Sequence, residues 1–175
     1  MESIWSSMAQ VRRGGVALVV VVAAVLGACG GGDGEDAAAC RDLDPLGRFG
    51  EVTVEIEGDE LCVLLAQTPD ERRRGLMDVT DLEGYAGMLF AYPDDVSGGF
   101  WMFDTPMPLS IAYLDGDGRI VSSTDMAPCE ASADCPSYPP EGPYRFALEV
   151  PQGELDDLGL TGDATLEIRG DTNPR

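Results

Sequence analysis

Residues 87–117 constrain the fold more than any other part of this chain. They contain the densest aromatic cluster, at 100–103, and apolar runs at 87–92, 99–103 and 109–114 that are separated by glycine and acidic residues. Short apolar runs between turn residues are typical of buried strands. We therefore expect this stretch to form the centre of the core.

Strand signals continue on both sides of this centre. Residues 51–57 alternate strictly between polar and apolar side chains, as a half-buried strand does. Gly58 and Asp59 form a turn signal, so residues 61–66 are expected to return as the hairpin partner. Further strands are predicted at 119–123, 144–150 and 164–169.

Two short helices are predicted between the strands. Thr68 is followed by Pro69 and then Glu71, which is the pattern of a capping box with proline in the first turn. Gly75 ends this helix, and a second one is expected within 151–158. Together these signals predict a mainly β fold, a single compact β-sandwich or open barrel with two short helices.

The first 28 residues are expected to be a lipoprotein signal peptide. Arg12 and Arg13 precede an apolar run at 16–26, which is too short to span a bilayer. Leu-Gly-Ala before Cys29 resembles the bacterial lipobox, so Cys29 is the predicted lipidation site and membrane anchor; an ordinary signal peptide or a short anchor helix is the alternative. Residues 29–40 then form a flexible acidic and glycine-rich tether, and residues 41–175 a single β-rich domain.

Four further cysteines support export to an oxidising compartment. An even number of cysteines in an exported domain predicts two disulfides. The favoured pairing joins Cys129 with Cys135, because prolines and Asp134 make the short loop easy to close, and leaves Cys40 for Cys62. A zinc site is disfavoured because no Cys-x-x-Cys pair is present.

Charge and composition exclude several classes of function. The formal net charge is −21, all 11 basic residues are arginine, and histidine is absent. Nucleic acid is not an expected partner, because phosphate binding needs clusters of basic residues. Without histidine, a Ser-His-Asp triad and imidazole metal ligands are impossible. Self-repulsion also favours a monomer.

Several motifs occur in a fixed order along the chain. They are Thr-Pro-Asp-Glu-Arg with Gly-Leu-Met at 68–77, Gly-Met-Leu-Phe at 87–90, Phe-Trp-Met-x-x-Thr-x-x-Pro-Leu at 100–109 and Tyr-Arg-Phe-Ala-Leu-Glu-Val at 144–150. Over residues 52–169 the chain thereby resembles the bacterial and archaeal family labelled domain of unknown function 192. The resemblance implies a compact β-rich fold that is often exported or membrane-tethered, and it implies no established activity.

Five residues are candidates for a ligand pocket with an apolar wall and a polar mouth. Such a lining is typical of small-molecule sites, whereas aromatic and methionine side chains on strands also serve as simple core. Alternation places Trp101 and Phe103 on one face of their strand and Met102 on the other. Because both faces are apolar, we expect both to be buried. The candidates are Met77, Trp101, Met102, Asp104 and Thr105.

Acidic and sulfur side chains raise further possibilities. Asp104, Asp115 and Asp117 are candidate acid–base carboxylates or calcium ligands, but turn chemistry explains Asp-Gly-Asp-Gly at 115–118. A copper(I) site at Met102 and Met107 is disfavoured without histidine. We therefore expect no metal and no cofactor.

The arginines of the first helix are assigned separately. Arg74 is hypothesised to form a buried ion pair with Asp104, which would hold the helix against the sheet. Arg72 and Arg73 are expected to be solvated.

Three functions remain as hypotheses. The preferred one is a binding or interaction module of the cell envelope, lipid-anchored on the extracytoplasmic face, with an unknown ligand or protein partner. The alternatives are a carboxylate-based hydrolase acting on an envelope polymer, and a structural or assembly factor without a small ligand. The hydrolase requires at least two acidic side chains, Asp104 among them, in one cleft. The structural factor requires a filled core without a pocket.

Overall fold

The computed structural model describes Cys40, residues 49–130 and residues 134–172, all within the unit Gly34–Arg175. The predicted signal peptide, Cys29 and most of the tether lie outside these described residues. Within them the chain forms, in order, β1 (Gly50–Ile56), β2 (Asp59–Ala66), α1 (Pro69–Arg74), β3 (Met88–Val96), β4 (Phe100–Trp101), β5 (Leu109–Leu114), β6 (Ile120–Met126), β7 (Ser137–Tyr138), β8 (Tyr144–Pro151), α2 (Glu154–Asp157) and β9 (Leu166–Arg169).

Seven of these strands form one sheet in the order β6-β5-β8-β3-β2-β1-β9. The sheet is curled into a half-barrel, and β4 and β7 form a separate two-stranded ribbon. All pairings in the large sheet are antiparallel except the one between β2 and β3. The predicted mainly β fold with two short helices is confirmed, and the open-barrel form describes it better than the sandwich.

The β1–β2 hairpin forms as predicted, although Thr53 on the polar side of β1 is buried as well. Ile56 lies opposite Asp59, so the turn consists of Glu57 and Gly58, one residue earlier than expected. Both turn residues have positive φ, 53° and 94°, as a type I′ hairpin turn requires. The strand bounds shift accordingly, and β2 begins at Asp59.

Both faces of the central strands are buried. Phe90, Tyr113 and Ala147 belong to one apolar cluster, and Leu89 and Leu148 belong to the other. Successive side chains on a strand point to opposite faces, so strands covered on both sides are apolar along their whole length. This explains the continuous apolar runs of β3, β5 and β8, and it agrees with the expectation of a central position for the parts of residues 87–117 that form β5 and the start of β3.

The aromatic stretch departs from its prediction. The expected strand at 99–103 is reduced to the two residues of β4, which pairs only with the equally short β7, a strand the sequence did not predict. Trp101 is 55% exposed, so the prediction that both faces are buried is wrong for the face that carries it. The reason is that β4 lies outside the large sheet, and no second layer covers its outer side chains.

The structure contains two disulfides, with the pairing that the spacing favours. Cys40 is bonded to Cys62 with their Cα atoms 4.8 Å apart, and Cys129 to Cys135 with their Cα atoms 5.8 Å apart. The first ties residue 40 to β2 and the second closes a loop near the β4–β7 ribbon.

Replacing each disulfide by an alanine pair should destabilise the domain to different degrees. The Cys40–Cys62 bridge closes a sequence separation of 22 and the Cys129–Cys135 bridge one of 6. Chain entropy predicts a loss in unfolding free energy of about 3 kcal/mol for the first and about 2 kcal/mol for the second. Urea unfolding under oxidising conditions measures both, and a larger loss for the Cys129–Cys135 variant would contradict the entropic account.

Gly87, immediately before β3, allows the close approach of β8. A Cβ atom there would lie 2.1 Å from the carbonyl oxygen of Glu149, a backbone atom that cannot move without disturbing the central pairing. Gly87→Ala should therefore lower the unfolding free energy by about 3 kcal/mol in urea titrations.

Gly98→Ala is the matched control for this substitution. No heavy atom lies within 4 Å of a Cβ at position 98, so alanine is sterically accommodated there. Equal losses of stability for the two variants would contradict the steric explanation.

Candidate functional site

The site is built around α1, whose start is fixed by the predicted capping box. The Thr68 hydroxyl accepts a hydrogen bond from the Glu71 backbone N–H at 3.3 Å, and Glu71 Oε2 accepts from the N–H groups of Thr68 and Gln67, both at 2.8 Å. Burial disfavours ionisation of Glu71, but these backbone hydrogen bonds outweigh it and hold its pKa below the usual value. The capping box thus fixes the start of α1, and Gly75 ends the helix directly after the three arginines.

The end of α1 brings three consecutive arginines to the site, and each has its own partner. Arg72 donates to the carbonyl oxygens of Ala91, at 2.8 Å, and Gln67, and lies 4.6 Å from the centre of the Tyr92 ring. The expectation that Arg72 is solvated is therefore wrong, because the helix end packs against β3. Arg73 is exposed and pairs with Asp70 at 2.7 Å.

Arg74 does not form the ion pair that was hypothesised. Its Nη2 lies 2.5 Å from Asp78 Oδ2, whereas Asp104 contributes its backbone carbonyl, which accepts from the Asp78 N–H at 2.8 Å. Asp78 lies four residues after Arg74, within easy reach of the guanidinium. Asp104 has a positive φ of 55° within the tight turn after Met102.

The turn after β4 is held against the Cys129 disulfide. Phe103 and Thr105 each form an isolated bridge with Cys129, and the Thr105 N–H donates to the Met102 carbonyl oxygen at 3.1 Å. The Thr105 hydroxyl donates to the Phe103 carbonyl oxygen at 3.3 Å. These contacts fix the polar residues of the turn at the rim of a cavity.

Two cavities adjoin this turn. The larger has a volume of about 530 Å³, and three carboxylates line it, from Asp78, Asp104 and Glu130. The smaller, about 290 Å³, has an apolar wall made of Met77, Trp101 and Phe103. The Trp101 and Phe103 rings are stacked with their centres 5.6 Å apart.

The five predicted pocket residues are distributed over this region. Met77 and Trp101 line the smaller cavity, and Asp104 and Thr105 line the larger one. Met102 is fully buried in the core, since it faces the sheet from the opposite side of β4. The structure thus brings four of the five to adjoining cavities and places the fifth beneath them.

The other acidic candidates have structural partners. Asp115 Oδ1 accepts from the backbone N–H groups of Asp117 and Arg119 at 2.8 and 2.9 Å, and Asp117 pairs with Arg119 at 2.6 Å. These contacts are those of an Asx-type turn. Ser110, considered as a nucleophile, donates to Asp125 Oδ1 at 2.6 Å and accepts from the Gly153 N–H at 2.9 Å. Asp125 is an acceptor here and its pKa is lowered by hydrogen bonds from Gln152 and Ser110.

Sequence reasoning missed Glu149, the most unusual residue of the site. It lies on β8 between Met88 of β3 and Ile111 of β5, with 4% of its surface exposed. Burial raises its pKa to about 8, so the carboxyl is protonated at neutral pH. Its one sequence signal is a single acidic residue between Leu148 and Val150 in an apolar strand, and this signal alone does not show that the side chain is buried.

Glu149 lines a third cavity, of about 30 Å³, beneath the aromatic pair. The other lining residues include the arginines of α1, Trp101 and Thr105. In the part of the chain that the structure describes, the Glu149 carboxyl has no hydrogen bond or ion pair, and burial alone raises its pKa. A carboxyl that is buried without such partners is a candidate functional group.

Comparison with known proteins identifies the family. Residues 52–168 match the family described as uncharacterized ACR, domain of unknown function 192 (DUF192). The chain belongs to this family. No curated protein matches it.

Two solved structures resemble this DUF192 domain. A protein of unknown function from Novosphingobium aromaticivorans is 27% identical with a TM-score of 0.63, and the match covers 77% of this chain and 99% of that one. A proposed transcription regulator from Sinorhizobium meliloti is 26% identical with a TM-score of 0.59, and the match covers 69% of this chain and 95% of that one. Both support the fold.

The buried carboxyl predicts how the stability of the DUF192 domain depends on pH. The folded pKa of Glu149, about 8, lies above the value of about 4.3 that an unfolded glutamate has, so the folded state binds more protons between these two values. The unfolding free energy should therefore fall from pH 5 to pH 8, by on the order of 1 kcal/mol per pH unit from this residue. The lowered pKa values of Glu71 and Asp125 act below this window.

Glu149→Gln should remove this slope and be more stable than the parent chain at pH 9. Urea unfolding at pH 5, 7 and 9 measures the difference, with Glu60→Gln, on the exposed start of β2, as the matched control. Parallel pH profiles for the parent and Glu149→Gln would contradict the assignment.

Proposed function

We propose that this DUF192 protein is a binding module of the cell envelope, held at the extracytoplasmic face of the membrane by a lipid on Cys29. Two disulfides support an oxidising compartment, where such bonds form and persist. The lipobox-like sequence before Cys29 supports the anchor. Among the described residues, no helix has the length and apolar character needed to cross a membrane.

The observation that carries the binding role is the exposure of Trp101 beside two cavities. A large aromatic side chain that is 55% exposed leaves apolar surface in water, and such surface marks interaction sites when it adjoins a cleft. Stacking on Phe103 holds the ring in place, so it forms a preorganised wall. The proposed ligand lays an apolar face on this wall.

Charge suggests which polar groups that ligand carries. Asp78, Asp104 and Glu130 line the larger cavity, and the chain has a net charge of −21. Carboxylates accept hydrogen bonds, so hydroxyl, amide or ammonium donors of the ligand are favoured there. The proposed ligand is therefore amphipathic, with hydrogen-bond donors that enter the acidic cavity.

A hydrolase remains the second candidate, on one specific observation. Asp104 and Glu130 line the same cavity of about 530 Å³, which meets the condition that two acidic side chains share a cleft. Incubation of the protein with soluble fragments of envelope polysaccharide and peptidoglycan tests this candidate. Product formation that Asp104→Asn and Glu130→Gln each abolish would favour the hydrolase over the binding module.

Tryptophan fluorescence offers a direct test of the binding site. The chain contains two tryptophans, Trp5 and Trp101, and Trp5 lies in the predicted signal peptide, so Trp101 is the sole reporter in the mature lipoprotein. The envelope fragments that bind should change its emission in a saturable manner.

Trp101→Ala should weaken the same interaction at least tenfold by calorimetry, because the apolar wall is lost. Its stability should change by less than about 1 kcal/mol, since the side chain is largely exposed. Thr161→Ala, an exposed position between α2 and β9, is the control and should bind normally. Unchanged affinity in Trp101→Ala would contradict the proposed site.

A further inference from the structure

Two polar groups without partners lie beside one small cavity. The Glu149 carboxyl has no hydrogen bond or ion pair within the described ranges. The buried Nε–H of Arg74 has no acceptor among the described residues. Glu149 and Arg74 both line the cavity of about 30 Å³. Buried polar groups are nearly always hydrogen-bonded. Two unpartnered polar groups beside one cavity therefore indicate that the cavity binds a small polar group.

The cavity has room for one small polar group. A water molecule occupies about 30 Å³ in the liquid, which matches the cavity volume of about 30 Å³. Arg73, Arg74, Met77 and Trp101 line both this cavity and the apolar cavity of about 290 Å³. A ligand whose apolar body contacts Trp101 can therefore extend a small polar group towards Glu149.

The hydrogen-bonding properties of Arg74 Nε–H and the Glu149 carboxyl determine which polar group can bind in the cavity. Arg74 Nε–H can only donate, and the Glu149 carboxyl carries a proton at neutral pH, so it donates too. The run of arginines at 72–74 opposes a cationic guest. Two donor groups on residues that line one cavity, with positive charge nearby, favour an anionic acceptor.

We propose that the Glu149 cavity is a carboxylate subsite, in which the ligand's carboxylate accepts hydrogen bonds from Arg74 Nε–H and the Glu149 carboxyl. This inference rests on the proposed binding role of the Trp101 cleft and defines the ligand further. The ligand is a carboxylate with an apolar body and with hydrogen-bond donors directed to the acidic cavity.

Binding should depend on pH through Glu149 alone. The other titratable groups that face it are Tyr92 of β3 and Tyr113 of β5, whose pKa values burial raises further above their usual value, and the arginines of α1. Neither tyrosine ionises between pH 6.5 and pH 9.5. With the pKa of Glu149 at about 8, a carboxylate ligand should bind about thirtyfold more weakly at pH 9.5 than at pH 6.5. The reason is that few protein molecules keep the proton on Glu149 at the higher pH.

Arginine side-chain NMR of the full chain in detergent tests the subsite. Acetate, acetamide and ethylammonium are titrated separately to about 100 mM while the Nε–H resonances are followed. Acetate should shift the Arg74 resonance saturably at pH 6.5, about thirtyfold more weakly at pH 9.5, and ethylammonium should not shift it. Arg73, which is exposed and paired with Asp70, is the internal control.

The Glu149→Gln variant distinguishes the effect of Glu149 ionisation on binding from any effect of the substitution on folding. The glutamine amide keeps a donor and cannot ionise, so this variant should retain acetate binding and lose its pH dependence. Asp78→Asn tests whether the Arg74 response arises only from its ion pair, and it should leave acetate binding in place.

Three results would overturn the inference. The Arg74 resonance does not shift with acetate at about 100 mM, which indicates that the cavity holds only water. Ethylammonium binds better than acetate, or acetate binding by Glu149→Gln depends on pH as it does in the parent chain. If acetate does not shift the Arg74 resonance while an envelope fragment still changes Trp101 emission, the proposed subsite is wrong and the proposed binding module stands. If acetate binds and no fragment affects Trp101, the proposed function fails and the anion subsite stands.

Discussion

The insertion of β8 between β3 and β5 is the pairing on which the rest of the structure depends. It joins β6-β5 to β3-β2-β1-β9, so the two halves of the large sheet are not connected without it. β8 is the last long strand in the chain, which means that the central contact closes late in sequence. Gly87 is part of the same constraint, because any side chain at its position would meet the backbone of β8. The centre of the sheet therefore tolerates little change in the backbone geometry around Glu149.

Local signals were sufficient to predict most of the elements. The strict alternation of β1, the capping box of α1 and the apolar run of β5 each depend on residues close in sequence, and each appears where it was expected. β7 could not be predicted and β4 was predicted too long, since two-residue strands have no periodicity and arise only because distant segments meet. The same limit applies to Trp101, whose exposure depends on what covers β4 rather than on its neighbours in sequence.

The candidate site was predictable only in part, for a related reason. Met77, Trp101, Asp104 and Thr105 attract attention by residue type, and they do line adjoining cavities. Glu149 looks like an ordinary exposed strand residue in sequence, because alternation cannot show that both faces of β8 are covered. Arg72 likewise looks solvated until α1 is packed against β3. Residues whose properties come from tertiary burial are therefore those that pattern analysis misses.

One disulfide makes the geometry of the candidate site depend on the redox state of its surroundings. Cys129 bridges to Phe103 and Thr105 and also lines the acidic cavity, so its bond to Cys135 restrains the turn that carries Asp104. An oxidising environment maintains such a bond, whereas a reducing one would release the loop. The opposite wall is held by the packing of α1 against β3, which does not depend on redox state. The two walls of the proposed site thus differ in origin, and the acidic wall is the one that a disulfide restrains.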